Sequence, residues 1–504
     1  MVSRVSTFAL NGIDASPVDV QCQLANGAVN FVVVGLPDKT VAESRDRIRA
    51  AFASLSLSMP PKKIIVNLSP ADINKEGSHY DLPIVLALLS AMGLVPENEL
   101  SQYYCMAEIA LDGSLVAVNG VLPSSIAANA EGKGMICARE NALEAKWADE
   151  NMDVIGARNI IDIINHFNGK SLINNDFADV DNGIEDKVLY PDFSDIKGQE
   201  NARRAAEIAA AGNHNLLMSG PPGSGKSMIA ARIAGIMPEL STKEILETSV
   251  IHSVAGNIRA GKLITNRPYR SPHHNCSMPA MIGGGAKVKP GEISLSHNGV
   301  LFLDELPEFP RQVLDSLRQP LETHEVSVSR VNSHVTYPAK FQLIAAMNPC
   351  KCGYLSEPAR ACSRAPKCGQ EYQMKLSGPL LDRFDIHIDV PAQNPLDAYE
   401  KSESESSRDI KRRILRARRT QDNRYQDTKF VTNADLEGAA LMDFCNMNED
   451  ANILLKNGVE KLSLSMRGHS KVLKVARTIA DLEGCDIIEK RHMAESLSYR
   501  IMEF

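Results

Sequence analysis

The sequence predicts an α/β protein in three parts: a mixed α/β domain over residues 1–167, a second α/β domain on a parallel sheet over 196–395, and a helical region over 396–504. Three observations predict it. Short apolar runs alternate with amphipathic stretches in the first part; in the second, each apolar run ends in Asp, Asn or Gly; the third is Lys/Arg- and Leu/Ala-rich with few strand signals. Between the first two, residues 168–195 shift to Asn, Asp and Gly, the composition of a solvated linker.

In the first part, residues 31–35 and 63–67 read as buried strands, and 40–57 as a helix with Glu43, Arg45, Asp46, Arg47 and Arg49 on its polar face. In the second, strands fall at 215–219, 299–304 and 341–346. The carboxyl ends of parallel strands carry the chemistry, so these predict one site at one sheet edge.

Composition narrows the function. At 504 residues, 44% hydrophobic and 23% charged, the chain has the makeup of a soluble globular protein. A net charge of −7 excludes a uniformly basic nucleic-acid binder, so any DNA contact must be local. Residues 1–15 lack the apolar core of a signal peptide, and the longest apolar stretch, 83–95, is shorter than the about 20 residues a bilayer needs. A cytoplasmic protein is expected, whose ten cysteines are free or metal-bound.

Gly220-Pro221-Pro222-Gly223-Ser224-Gly225-Lys226-Ser227 follows a predicted strand and precedes a predicted helix, the context in which a G-x-x-x-x-G-K-[ST] loop cradles phosphate. Its glycines let backbone N–H groups converge on phosphate oxygens, Lys226 neutralises the outer phosphates and Ser227 ligates Mg²⁺. Asp304 and Glu305 end the next strand: Asp304 holds Mg²⁺ and Glu305 activates the attacking water, a pairing that points to hydrolysis. Asn348 ends the following strand and can position that water or touch the terminal phosphate without repelling it. Arg383 and Arg467 lie in loop-like settings where arginine stabilises phosphoryl charge or merely forms surface ion pairs.

Cys350, Cys352, Cys362 and Cys368 fall in a Pro/Gly-rich segment and make the ligand set of a structural Zn²⁺ clip, the alternative being reduced, unpaired thiols. His387 reads as a packed histidine. His273 and His274 have no acid at ligand spacing and read as structural or intersubunit residues. Residues 323–338 alternate as a hairpin, either merely structural or able to reach a central pore, in which case Arg330 and Lys340 are candidate phosphate contacts. Lys411, Arg412, Arg413, Arg416, Arg418 and Arg419 form a basic run; 412, 416 and 419 share one helical face, and 411 and 418 another, making either a DNA stripe or a solvated surface.

The set Gly220 to Ser227, Asp304, Glu305, Asn348 and Arg383 resembles an AAA+ ATPase of the magnesium-chelatase-like clade. Strings along nearly the whole chain are similar to the bacterial ComM/YifB family: Val34-Gly-Leu-Pro-Asp38, Val66-Asn-Leu-Ser-Pro-Ala-Asp72, Lys75-Glu-Gly-Ser78, Arg270-Ser-Pro-His-His274, Leu317-Arg-Gln-Pro-Leu-Glu322 and Val475-Ala-Arg-Thr-Ile-Ala-Asp-Leu482. The resemblance implies a hexameric, ATP- and Mg²⁺-dependent DNA helicase that promotes branch migration during homologous recombination of incoming DNA in natural transformation, with a recombinase partner. It also implies a trans arginine finger at Arg383, a second sensor at Arg467 and a helical lid over residues 396–504. The first domain resembles the Lon-protease-like fold of the ribosomal S5 superfamily. Its serine position falls near His79 and its lysine position near Pro123, so a non-proteolytic scaffold or DNA-contacting ring is expected; Ser78 with Lys75 is the remote catalytic alternative. The competing function is the ATPase motor of a metal-chelatase-type complex.

Overall fold

The structure, a computed structural model, describes residues 2–174, 190–258, 261–285, 288–330, 333–355, 360–393 and 404–500. Its N-terminal sheet has seven strands, β1 (Val2–Asn11), β2 (Asp14–Ala25), β3 (Asn30–Val34), β4 (Lys63–Ser69), β5 (Tyr103–Met106), β6 (Gly134–Ala138) and β7 (Val154–Ala157), in the order β3-β4-β2-β1-β5-β6-β7. Helix α1 (Lys39–Ser54) starts where the Asp38 carboxylate accepts the Val41 N–H at 2.7 Å, and it buries Val41, Ile48 and Phe52. The 83–95 stretch is a core element: helix α2 (Asp81–Ala91) buries every residue from Asp81 to Leu89. Among the described residues no helix is long and apolar enough to cross a membrane.

Five parallel strands build the second sheet, β8 (Leu216–Ser219), β9 (Tyr269–Arg270), β10 (Val300–Leu303), β13 (Gln342–Met347) and β14 (Ile386–Asp389), ordered β9-β10-β13-β8-β14. A hairpin, β11 (Glu325–Arg330) and β12 (Ser333–Pro338), intervenes in sequence. Side chains alternate across the sheet. Leu216, Met218, Val300, Phe302, Ile344 and Ala346 face helices α3 (Glu200–Gly212) and α4 (Lys226–Ile236). The C-terminal helices reach the same core through Ile410 and Ile414 of α6 (Ser407–Tyr425) and Val475 and Ile479 of α7 (Met466–Glu483). Helix α5 (Thr242–Ala255) lies between α4 and β9 in the chain. Leu217, Leu301, Leu303, Leu343 and Ala345 face the other way, against Leu306, Val313 and the hairpin's Val326, Val328, Val335 and Tyr337. The hairpin is therefore anchored along one face, and its tip meets the N-terminal sheet, where Asn11 Nδ2 donates to the His334 carbonyl at 3.4 Å.

One feature differs from the sequence-based expectation. Residues 190–195 are not solvated linker: Phe193 is wholly buried, Tyr190 donates its hydroxyl to the Arg267 carbonyl at 2.8 Å, and Asp192 accepts the N–H groups of Ser194 and Ser407. The aromatic rings outweigh the polar composition by removing apolar area from water. Linker residues 175–189, and the boundary placed between 395 and 396, lie outside the described residues. The N-terminal body is tied directly to α5. Buried Glu144 accepts from Ser253 Oγ at 2.5 Å, the Leu122 N–H at 3.2 Å and Asn141 Nδ2 at 3.0 Å. Burial pushes its pKa up, and those three hydrogen bonds oppose the rise in part.

Candidate active site

β8 runs into the phosphate loop, and α4 starts at its end. Gly225 adopts φ +93°, and a Cβ on Gly220 would sit 2.1 Å from the Val390 carbonyl oxygen, so both positions require glycine. Lys226 Nζ donates to the carbonyls of Gly220 (2.7 Å) and Pro221 (2.9 Å), to Ser224 Oγ (3.3 Å) and to Asn348 Oδ1 (3.3 Å). Burial lowers the pKa of this ammonium, and Asp304 offsets part of the loss. Ser227 Oγ donates to Asp304 Oδ2 at 2.7 Å, while Asp304 Oδ1 accepts the Glu305 N–H at 2.9 Å. Residues from the carboxyl ends of β8, β10 and β13 thus meet at one edge, as the strand pattern predicts. The donor set fits its expected ligands: the Ser227 hydroxyl and Asp304 carboxylate are hard oxygens in mutual contact that would hold Mg²⁺, which neutralises phosphate charge when bound.

Glu305 has φ +53°, a left-handed backbone in a residue that is not glycine. Its carboxylate lies 3.3 Å from His274 Nδ1. This corrects the reading of His274 as lacking an acidic partner: the partner comes from the neighbouring strand, not from nearby sequence. His274 follows β9, whose Arg270 makes a two-pronged pair with Glu292 at 2.6 Å on each arm, and the His274 ring lies tilted at 34° against His273 with centroids 4.1 Å apart.

The two arginines lie elsewhere. Arg383 precedes β14, and its carbonyl accepts Asn215 Nδ2 at 3.0 Å, which places it at the amino end of β8. The phosphate loop is at the other end, about 13 Å away by the rise of a four-residue strand. Arg467, at the start of α7, reaches the same end. Both guanidinium groups contact the Glu322 carboxylate, Arg467 at 3.6 Å and Arg383 closer still. They line a cleft of about 510 Å³ with Asp385, Lys471 and Lys474 among its walls. Burial works against the charge of Asp385, but Lys471 at 3.0 Å and His214 overcome it and hold the carboxylate well below its usual range.

The four cysteines converge. Cys350 and Cys352 sulfurs lie 3.0 Å apart, Cys362 and Cys368 3.4 Å apart, and those of Cys350, Cys352 and Cys368 are all within 4.8 Å of one another. The Cys352 thiol is lowered to about 6, first by Cys350 and then by the Tyr354 N–H, while Cys368 is pushed up to about 12, chiefly by Cys362. Four thiols held this close are a donor set that Zn²⁺ fits. A Cβ on Gly353 would meet Pro222 at 2.4 Å, so this loop abuts the phosphate loop. A second group, Glu483, Cys485 and His492, does not suit a metal. His492 Nδ1 accepts the Glu489 N–H at 3.0 Å, which assigns the ring proton to Nε2, facing Glu483 at 3.1 Å. His387 is buried, as expected, and lowered to about 3 by that burial.

Several expected DNA contacts are otherwise engaged. Lys340 pairs with Asp435 at 3.8 Å and Lys411 with Glu239 at 3.8 Å. Arg413 binds Glu207 and Glu405, and Arg418 turns inward to the Ala210 carbonyl at 3.0 Å. Arg412, Arg416 and Arg419 are exposed on one face of α6, although Arg412 also pairs with Asp409 at 2.7 Å. Arg330 ends β11, and its side chain lies outside the described residues. In the N-terminal body, His79 is buried with Nε2 2.9 Å from the Phe8 carbonyl, Pro123 is buried, and Lys75 donates to the Pro70 carbonyl.

A phosphate loop on an all-parallel sheet, with paired carboxylates on one strand and an asparagine on the next, defines an ATPase domain of the AAA+ class. Comparison with known families agrees. The model "Magnesium chelatase, subunit ChlI" matches residues 192–398, with "Subunit ChlI of Mg-chelatase" at 20–141 and the ChlI C-terminal model at 404–500. The chain is 41% identical over 505 residues to competence protein ComM of Haemophilus influenzae, covering 99% of this chain and 97% of that protein. It is 41% identical over 503 residues to YifB of Escherichia coli, covering 100% and 97%. The magnesium-chelatase 38 kDa subunit of Acidiphilium rubrum is 23% identical over 332 residues, 61% of this chain and 88% of that protein. The chain belongs to the ComM/YifB family of magnesium-chelatase-like AAA+ proteins.

Proposed function

We propose that the protein is a cytoplasmic, ring-forming ATP hydrolase, a hexamer by family resemblance, that drives branch migration of DNA during homologous recombination of incoming DNA, alongside a recombinase. The observation that carries this reading is the separation of the phosphate loop from Arg383 and Arg467 at opposite ends of one sheet. A site whose loop and arginines cannot meet within one chain is completed between two copies, which favours a closed ring. In that site Lys226 and Asn348 hold the terminal phosphate, Glu305 takes the proton of the attacking water, and the neighbour's arginines stabilise the charge that develops.

A role in competence is supported by the name of the Haemophilus relative, and DNA as the substrate by the exposed Arg412, Arg416 and Arg419 face. Four converging thiols support a structural Zn²⁺ beside the phosphate loop. The test is strand displacement on a synthetic four-way junction with ATP, comparing the wild type with Lys226→Ala. ATP-dependent displacement lost in the variant is the expected result. No displacement and no DNA stimulation of ATP turnover would sink the helicase assignment and favour a chelatase-type motor.

A further inference from the structure

In the intersubunit reading, on which this inference rests, Arg383 and Arg467 meet the terminal phosphate of a nucleotide held by a second copy of the chain. In the single chain both line a cleft, but each is already engaged by a carboxylate. One Glu322 carboxylate contacts both, and it is the sole group to ion-pair with either among the described residues. The Arg383 side chain is only 11% exposed beneath it, with its Nε buried and without a hydrogen-bond partner, so this guanidinium has donor capacity its own chain leaves unused. Glu322 itself is 51% exposed, so it can swing into water without stranding a buried charge.

A carboxylate and a phosphate offer guanidinium the same forked pair of acceptor oxygens, and the phosphate carries more charge. We propose that Glu322 is a positioning residue that stands in for the neighbour's terminal phosphate: it holds Arg383 and Arg467 side by side in the lone protomer and yields them when the phosphate arrives. Assembly is then an exchange of one anion for another. It adds no newly buried bare arginine, and Glu322 competes with the ring.

The experiment is sedimentation of four full-length proteins across a concentration series with ATP and Mg²⁺: wild type, Glu322→Gln, Arg383→Ala and the double variant. Removing the competing charge should lower the concentration for half-assembly by about three- to tenfold, the scale of one partly exposed ion pair. With Arg383→Ala already present, that gain should shrink to within about twofold, because the carboxylate then has one arginine fewer to withhold. An unchanged or raised midpoint in Glu322→Gln overturns the proposal. So does an equal gain in both backgrounds, which a purely structural or net-charge effect would give. Wild type that never assembles, or Arg383→Ala that assembles and hydrolyses ATP like wild type, brings down the intersubunit reading itself and this proposal with it. Those two outcomes are read without any Glu322 variant, so the failures are told apart.

Discussion

The two ends of the parallel sheet differ in self-sufficiency. At the carboxyl ends, Lys226, Ser227, Asp304, Glu305 and Asn348 form one contiguous polar cluster from a single chain. At the amino ends, two arginines share a carboxylate and face a cleft with no phosphate loop of its own. One end carries a phosphate loop with its carboxylates; the other carries arginines without one. In the proposed reading, a single chain encodes a machine that works between copies by putting complementary halves of a site a strand length apart on a rigid sheet.

Mixing variants tests the contrast most severely. Lys226→Ala and Arg383→Ala should each lose about 10³-fold or more of ATP turnover, yet an equimolar mixture should recover on the order of a quarter of wild-type turnover, because about one interface in four pairs an intact loop with an intact arginine. A mixture as inactive as its parts would mean the two ends never meet. At the amino end, Asp385→Asn leaves buried Lys471 unpaired and should cost about 3 kcal/mol at neutral pH by urea unfolding. Because the folded pKa of Asp385 lies below its unfolded value, its contribution is complete above about pH 4 and fades as pH falls through that value toward the folded one. The gap between wild type and variant should therefore narrow below about pH 4.

Smaller effects refine the carboxyl end. His274→Ala should lower turnover about three- to tenfold with little change in nucleotide affinity, since it removes a contact that orients Glu305 and touches no phosphate. The measurement is a separation of kcat from KM. Elemental analysis should find about one zinc per chain, lost in Cys352→Ser, and its removal should slow turnover by a few-fold through the loop that abuts Pro222. Full turnover without metal would make the cysteine loop a bystander.

Much of the carboxyl end was readable from residues alone. The loop from Gly220 to Ser227 is one contiguous string, and Asp304, Glu305 and Asn348 each end an apolar strand, so local spacing reports their placement. The 412, 416 and 419 face emerged from helical periodicity for the same reason. Where reading failed, the deciding partner was distant in sequence. Lys340 is engaged by Asp435 and Lys411 by Glu239, and no local rule anticipates either. Phe193 shows the same limit in a segment whose average composition is polar, because burial is decided by one ring finding a core, not by a mean.

By itself, then, the amino-acid sequence determined the phosphate loop, the parallel sheet that carries it, and the clustering of four thiols, because each depends on short-range order along the chain. Tertiary structure alone decided that His274 faces Glu305, that Arg383 and Arg467 share Glu322, and that both arginines lie a sheet's length from their own phosphate loop. The physical reason is that charge pairing acts through space over a few ångströms. Which charges come that close is settled by how strands and helices stack, a property no single stretch of residues contains.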